Sequence, residues 1–433
     1  MSLSSNDDRA FDTSESFALG LDESDDLSFA DRFYKTPGTI YMDGNSLGLM
    51  SRDAEQSLLN AVEDYKKYAI DGWSSGDNPW FFYAERLGAR MAPIVGALED
   101  EVIVTGSTTV NLHNMLATFY RPTGTRTKLV MDEMNFPSDI YAGKSHVSLH
   151  GLSPDNFVLI PSRDGNTLDE DDIIAALTED VCVAVLPGVL YRSGQLLDIE
   201  KLTKAAHERG VIIGFDCCHS AGSVPHRLHD WDVDFAIWCT YKYLNGGPGA
   251  SAGAFINRRH HNVPPGLPGW FSNNKDTQFD MSLEFESSRT AGAWQIGSPN
   301  LFNMAPIAGS LGMFEQAGME NLRTKSLHMT SYLMFLIDSA FAPDEGFSIV
   351  TPRQAELRGG HVALAHDTES IRINACLKQH GIVPDFRFPN IIRLAPIPLY
   401  TTYHELWQVV ETLKGIMESK EYLALENKRG TVA

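Results

Sequence analysis

Short apolar runs rich in β-branched and aromatic residues recur through the first half of the chain: EVIVTGS (101–107), KLVMDEM (128–134), VCVAVLPG (181–188), VIIGFD (211–216) and DFAIWCT (234–240). Each is short and bounded by turn formers, which predicts a buried strand rather than a helix. Amphipathic stretches of helix length lie between them. In DIEKLTKAAHERG (198–210), Ile199, Leu202, Ala205 and Ala206 share one helical face and Gly210 closes the end. Strands alternating with helices predict an α/β fold with a mainly parallel sheet. Near residue 325 the texture changes. TSYLMFLIDSAF (330–341) predicts a helix, FSIVTP (347–352) and HVALAH (361–366) short strands, and ESIRINACLKQHG (369–381) and YHELWQVVETLKGIME (403–418) further helices. The expected division is an N-terminal segment, 1–45, partly loose and packing with the small domain; a large domain, 46–325; and a smaller α+β C-terminal domain, 326–433.

Charge narrows the class of partner. The 433 residues carry 35 Lys and Arg against 56 Asp and Glu, a formal charge of −21, which disfavours nucleic acid and anionic membrane as partners and leaves a small-molecule substrate as the expectation. Cys182, Cys217, Cys218, Cys239 and Cys376 are odd in number and lack C-x-x-C spacing, so neither a disulfide framework nor a metal site is signalled. The polar, acidic start has no signal-peptide pattern and no apolar run approaches membrane-spanning length, so a cytoplasmic protein is expected.

Reactive residues collect where the predicted strands end, the place at which open α/β sheets bind ligands. Ser107, Thr108 and Thr109 follow EVIVTG at a predicted helix start, suited to a phosphate or equally to simple N-capping. NFPSDIYAG follows KLVMDEM and by itself is only a turn. Asp216 ends VIIGFD, with His219 three residues on; a cap and a packed polar group would account for them alone. Tyr241 and Lys242 end DFAIWCT, and a lysine at a buried strand terminus is costly unless it is deprotonated or bonded. One cofactor uses all of these groups. Pyridoxal phosphate needs a Schiff-base lysine (Lys242), a carboxylate for its ring nitrogen (Asp216), a stacking ring (Phe136) and a phosphate cup (Thr108, Thr109, Tyr241). The 26-residue separation of Asp216 and Lys242 suggests one strand-helix-strand step. The glycine-rich NGGPGASAG (245–253) precedes a strand rather than a helix, unlike a dinucleotide fingerprint.

The motifs YMDGNSLGL (41–49), NFPSDIYA (135–142), DCCHSAG (216–222), CTYKYLNGGPG (239–249), LPGWF (267–271) and IIRLAPIPLYTT (391–402) resemble those of the kynureninase family. That resemblance spans about residues 41–413 and implies a fold-type I pyridoxal-phosphate enzyme of the class V aminotransferase group, with a seven-stranded large-domain sheet. It implies a homodimer with shared active sites that hydrolyses L-kynurenine to anthranilate and L-alanine in tryptophan catabolism. Carried over by position, it assigns Lys242 and Tyr241 to catalysis; Thr108, Thr109, Phe136, Ser138, Asp139, Asp216 and His219 to the cofactor; and Trp270 and Ser298 to the cofactor phosphate of the neighbouring subunit. Ser46, Trp73, Ser298 and Arg393 fall to the substrate, with Arg393 as a bidentate clamp on its carboxylate. Four positions, at three places in the chain, depart from relatives: Pro187 replaces a common Ser or Thr, Ser272 and Asn273 replace Gly-His, and Trp73 replaces the histidine of animal enzymes that favour the 3-hydroxylated substrate. A ring-substituted kynurenine stays open as an alternative substrate. So do a desulfurase, an aminotransferase and a non-catalytic cofactor-binding protein.

Overall fold

The computed structural model describes residues 10–428; residues 1–9 of the segment expected to be partly loose lie outside the described residues. In chain order the strands are β1 (Ile40–Tyr41), β2 (Val102–Thr105), β3 (Lys128–Asp132), β4 (Phe157–Ile160), β5 (Val181–Pro187), β6 (Ile212–Asp216), β7 (Phe235–Trp238), β8 (Ala252–Ile256), β9 (Phe347–Ile349), β10 (Val362–His366), β11 (Ile382–Val383), β12 (Asp385–Arg387) and β13 (Ile391–Leu394). A seven-stranded sheet has the order β2-β8-β7-β6-β5-β3-β4. Only β8 runs against its neighbours, so six strands point their carboxyl ends the same way. β2, β5, β7 and β8 are buried along their whole length, which is why these segments read as continuous apolar runs rather than alternating ones.

The crossover between β5 and β6 is the helix Ile199–His207, with Ile199, Leu202, Ala205 and Ala206 buried on its inner face, as its periodicity predicts. The step from β6 to β7 differs from the expectation. Residues 217–234 cross by turns without an α-helix. Their sequence includes Gly222 at φ +86° and Pro225, and it has no helical apolar stripe to bury. β7 also stops at Trp238, so Tyr241 and Lys242 sit in a bend just past the strand rather than on it.

A second, antiparallel sheet has the order β12-β13-β10-β9. Its core joins Leu364 and Ile392 to Ile373, Leu406 and Val410 of the helices Ser370–Gln379 and Tyr403–Ser419. Ala18 and Leu21 of the N-terminal helix Glu15–Glu23 enter the same core, and β1 pairs in parallel with β11. The N-terminal segment is therefore tied to the C-terminal elements by both side chains and backbone. All five cysteines are buried and free. Among the described residues no helix is long and apolar enough to cross a membrane.

Candidate active site

A cavity of about 200 Å³ opens beyond the carboxyl ends of the large sheet. The register explains why its residues meet: Pro187 of β5 lies beside Asp216 of β6, which lies beside Ile237 of β7. The turns leaving three adjacent strands thus deliver Tyr191, His219 and Lys242 to one place. Thr108 and Thr109 begin the helix Thr108–Phe119 after β2, and Phe136, Ser138 and Asp139 come from the turn after β3. Asn45 and Ser46 line the cavity from the turn after β1, and Arg387 and Arg393 enter from the small sheet.

Among the groups predicted from sequence, Ser46, Thr108, Thr109, Phe136, Ser138, Asp139, Pro187, Asp216, His219, Tyr241, Lys242 and Arg393 all line this cavity. Trp73, Trp270 and Ser298 of the same chain do not. Trp73 packs in an aromatic cluster with Trp80 and Phe271, while Trp270 and Ser298 are exposed. Ser272, one of the departures, is buried; its hydroxyl accepts from Gly269 N at 2.9 Å and donates to Gln295 O at 3.1 Å, so here it staples the GWF turn. Tyr191 and Arg387 were missed. The alternating Asp-Phe-Arg of 385–387, immediately before IIRLAP, was the available signal for Arg387.

The polar contacts are specific. Lys242 Nζ lies 2.9 Å from His219 Nε2. Burial and the Lys242 charge hold the His219 imidazole well below its usual pKa, so it is neutral near pH 7. Cys218 N donates to Asp216 Oδ1 at 2.8 Å, which fixes that carboxylate. Burial, then the neighbouring Asp216 charge, pushes Asp139 well above the ordinary carboxylate range. Burial also raises the Tyr241 phenol, with Cys239 and Cys218 adding to the shift. Thr109 and Ser138 hydroxyls meet at 2.5 Å, and Ser107 makes no side-chain cap bond, so hydroxyls at this helix start face the cavity rather than capping it through Ser107. Phe136 is a large apolar ring left 41% exposed, with Tyr191 edge-on at 5.4 Å.

Comparison with known proteins identifies the family. Residues 322–413 match the family model described as the kynureninase C-terminal domain, and residues 81–227 match the DegT/DnrJ/EryC1/StrS aminotransferase family. The chain superposes on an apo cysteine desulfurase from Thermococcus onnurineus NA1 with a TM-score of 0.76 at 17% identity, covering 90% of this chain and 98% of that one. A cystine C–S lyase variant with glycine covalently linked to its PLP cofactor gives a TM-score of 0.74 at 14% identity, covering 89% and 98%. The fold is that of the fold-type I pyridoxal-phosphate-dependent enzymes of class V. Within that class, the chain is 55% identical to a kynureninase of Bacillus cereus over 98% of this chain and 99% of the other, and 54% identical to that of Geobacillus thermodenitrificans over 96% and 97%. The chain belongs to the kynureninase family.

Proposed function

We propose that the cavity holds pyridoxal phosphate bonded to Lys242 and that the protein hydrolyses L-kynurenine to anthranilate and L-alanine. One observation carries the reading: Lys242, Asp216 and Arg393 meet in a single cavity of a chain 55% identical to a kynureninase over nearly its full length. The donor set fits the cofactor. Asp139 Oδ2 and His219 Nδ1 are buried at the cavity without a protein partner among the described residues, which a polar ligand would supply. Asp216 suits a protonated ring nitrogen, the open face of Phe136 suits a planar ring, and Thr108, Thr109, Ser138 and Tyr241 suit a phosphate at a helix start.

Bound there, pyridoxal phosphate supplies an electron sink for bonds broken at and next to the substrate's α-carbon. The chain's own residues position the substrate and move its protons. Lys242, as a free amine, takes the α-proton, and neutral His219 keeps Nε2 as an acceptor that holds the amine in place. Tyr241 remains protonated near pH 7 because burial disfavours its phenolate, so it would protonate the β-carbon as that carbon parts from the hydrated side-chain carbonyl, while Lys242, once it has passed on the α-proton, would take a proton from the water that adds to that carbonyl. Arg393 and Ser46 take the substrate carboxylate.

A second copy would bring Trp270 and Ser298 to this cavity in a homodimer with shared sites. The exposed Trp270, Phe279, Met281, Leu283 and Phe285 support such a contact. The indole of Trp73 offers a ring face and one donor but no acceptor, which favours unsubstituted kynurenine over its 3-hydroxyl form. Five buried free thiols are in keeping with a cytoplasmic enzyme. Mixing the protein with pyridoxal phosphate and L-kynurenine should yield anthranilate fluorescence, and Lys242→Ala should lose both turnover and the visible absorbance band. A fully active Lys242→Ala protein would refute the reading.

A further inference from the structure

Arg393 cannot offer a free fork to a carboxylate as it stands. Its Nε donates to Asp385 Oδ2 at 2.5 Å, its NH1 to Tyr191 O at 2.7 Å and its NH2 to Ser46 Oγ at 2.9 Å, and NH2 lies 2.5 Å from Asp385 Oδ2 as well. Of its five N–H bonds, one on NH1 is left uncommitted among the described residues. A two-oxygen anion needs more donors than that.

The second strand supplies them. Asp385 of β12 lies directly opposite Arg393 of β13, and Arg387, two residues on, falls on the same face of β12 because side chains alternate along a strand. Arg387 Nε lies 2.9 Å from the same Asp385 Oδ2, an ion pair without hydrogen-bond geometry, and its NH2 donates to the same Ser46 Oγ at 3.4 Å. Two guanidinium groups are thus anchored on one carboxylate oxygen and one hydroxyl. They differ in what remains. Arg393 is 1% exposed and nearly used up, whereas the Arg387 side chain is 29% exposed, lines the cavity, and has an Nε without a hydrogen-bond partner among the described residues.

We propose that Arg387 is the second guanidinium of the carboxylate subsite, sharing the α-carboxylate of an amino-acid substrate with Arg393, and that Asp385 is the positioning residue that aligns the pair. The proposal rests on the reading of the cavity as an amino-acid site with Arg393 at the carboxylate. Asp385 leaves the pair a net positive charge while preventing the two like charges from turning apart.

The test uses holoenzyme titrated with L-alanine and with ethylamine, the same amine without the carboxylate, followed by the visible absorbance of the cofactor. Arg387→Gln should weaken L-alanine binding roughly ten- to hundred-fold, the range for a lost charge-assisted hydrogen bond, and leave ethylamine unchanged. With L-kynurenine, KM should rise more than kcat falls. Arg387→Lys should recover part of the loss and serves in its place if the glutamine variant misfolds. Asp385→Asn should weaken L-alanine and spare ethylamine as well. If Arg393→Gln weakens L-alanine but Arg387→Gln does not, or weakens both ligands equally, the proposal is wrong and the amino-acid reading stands. If neither variant affects L-alanine, the amino-acid reading itself falls.

Discussion

Gly48 is the point at which the stretch following β1 clamps the catalytic turn, and Gly48→Ala should expose how tightly Lys242 is placed. Gly48 N donates to Tyr241 O at 2.7 Å. A Cβ built on Gly48 would stand 2.9 Å from Asn245 Cα and closer still to the Lys242 carbonyl oxygen and Asn245 Oδ1. Two of these three neighbours are backbone, so the clash persists even if the Asn245 side chain swings aside. Ordinary contact between carbon atoms begins near 3.5 Å, so the 48 and 242 backbones must separate by roughly 1 Å. That much overpacking should cost about 1–3 kcal/mol of stability. A displacement of about 1 Å at a catalytic group can cost about a hundred-fold in rate. The expected result is therefore a large fall in kcat by anthranilate fluorescence beside a modest fall in the urea midpoint. Gly20→Ala is the control, because its Cβ would meet nothing within 4 Å and its helix should gain slightly. An unchanged kcat for Gly48→Ala, with the fold intact, would show that the clamp does not position Lys242.

Two further outcomes follow from the same structure. Asp234 is 1% exposed and accepts from Ile213 N at 2.8 Å, with His207 Nε2 at 3.0 Å, His260 Nε2 at 2.6 Å and Arg259 NH2 at 2.5 Å around it. Burial would raise this carboxyl, but bonds from His207 and His260 and the Arg259 charge hold it well below the usual range. The unfolded chain therefore binds the proton first, so the contribution is complete above an ordinary carboxylate pKa of about 3.9 and is lost as pH falls below it. Asp234→Asn should cost about 3–5 kcal/mol in urea unfolding at pH 7 and progressively less below pH ~4; an equal cost at both pH values would count against the charge network. If two copies share their sites as proposed, mixed dimers of inactive Lys242→Ala chains with weakened Trp270→Ala chains should recover activity through one intact composite site, and no recovery despite proven subunit exchange would exclude a shared site.

The signals that were legible in sequence are those with a local cause. Apolar runs such as VCVAVLPG announce strands buried on both faces, and the stripe of Ile199, Leu202, Ala205 and Ala206 announces the helix between β5 and β6. Asp216, His219 and Lys242 stood out because charged or titratable groups at the ends of apolar strands need a reason to be there. The inferred helix between Asp216 and Lys242 failed for a related reason: a residue count fixes the length of a crossover but not its conformation, and Gly222 and Pro225 favour turns.

The tertiary structure decided what depends on contacts between distant segments. Strand order brings Thr108, Asp139, Asp216 and Lys242 to one cavity although they are spread over more than a hundred positions. That the fork of Arg393 is already occupied follows from Asp385, Tyr191 and Ser46, which no local pattern connects. Periodicity records which face of an element avoids water, and motif chemistry records which groups are reactive. Which reactive groups meet, and with how many donors still free, is set by strand register and by the packing of the small sheet against the large one, where burial makes each unmet polar group costly.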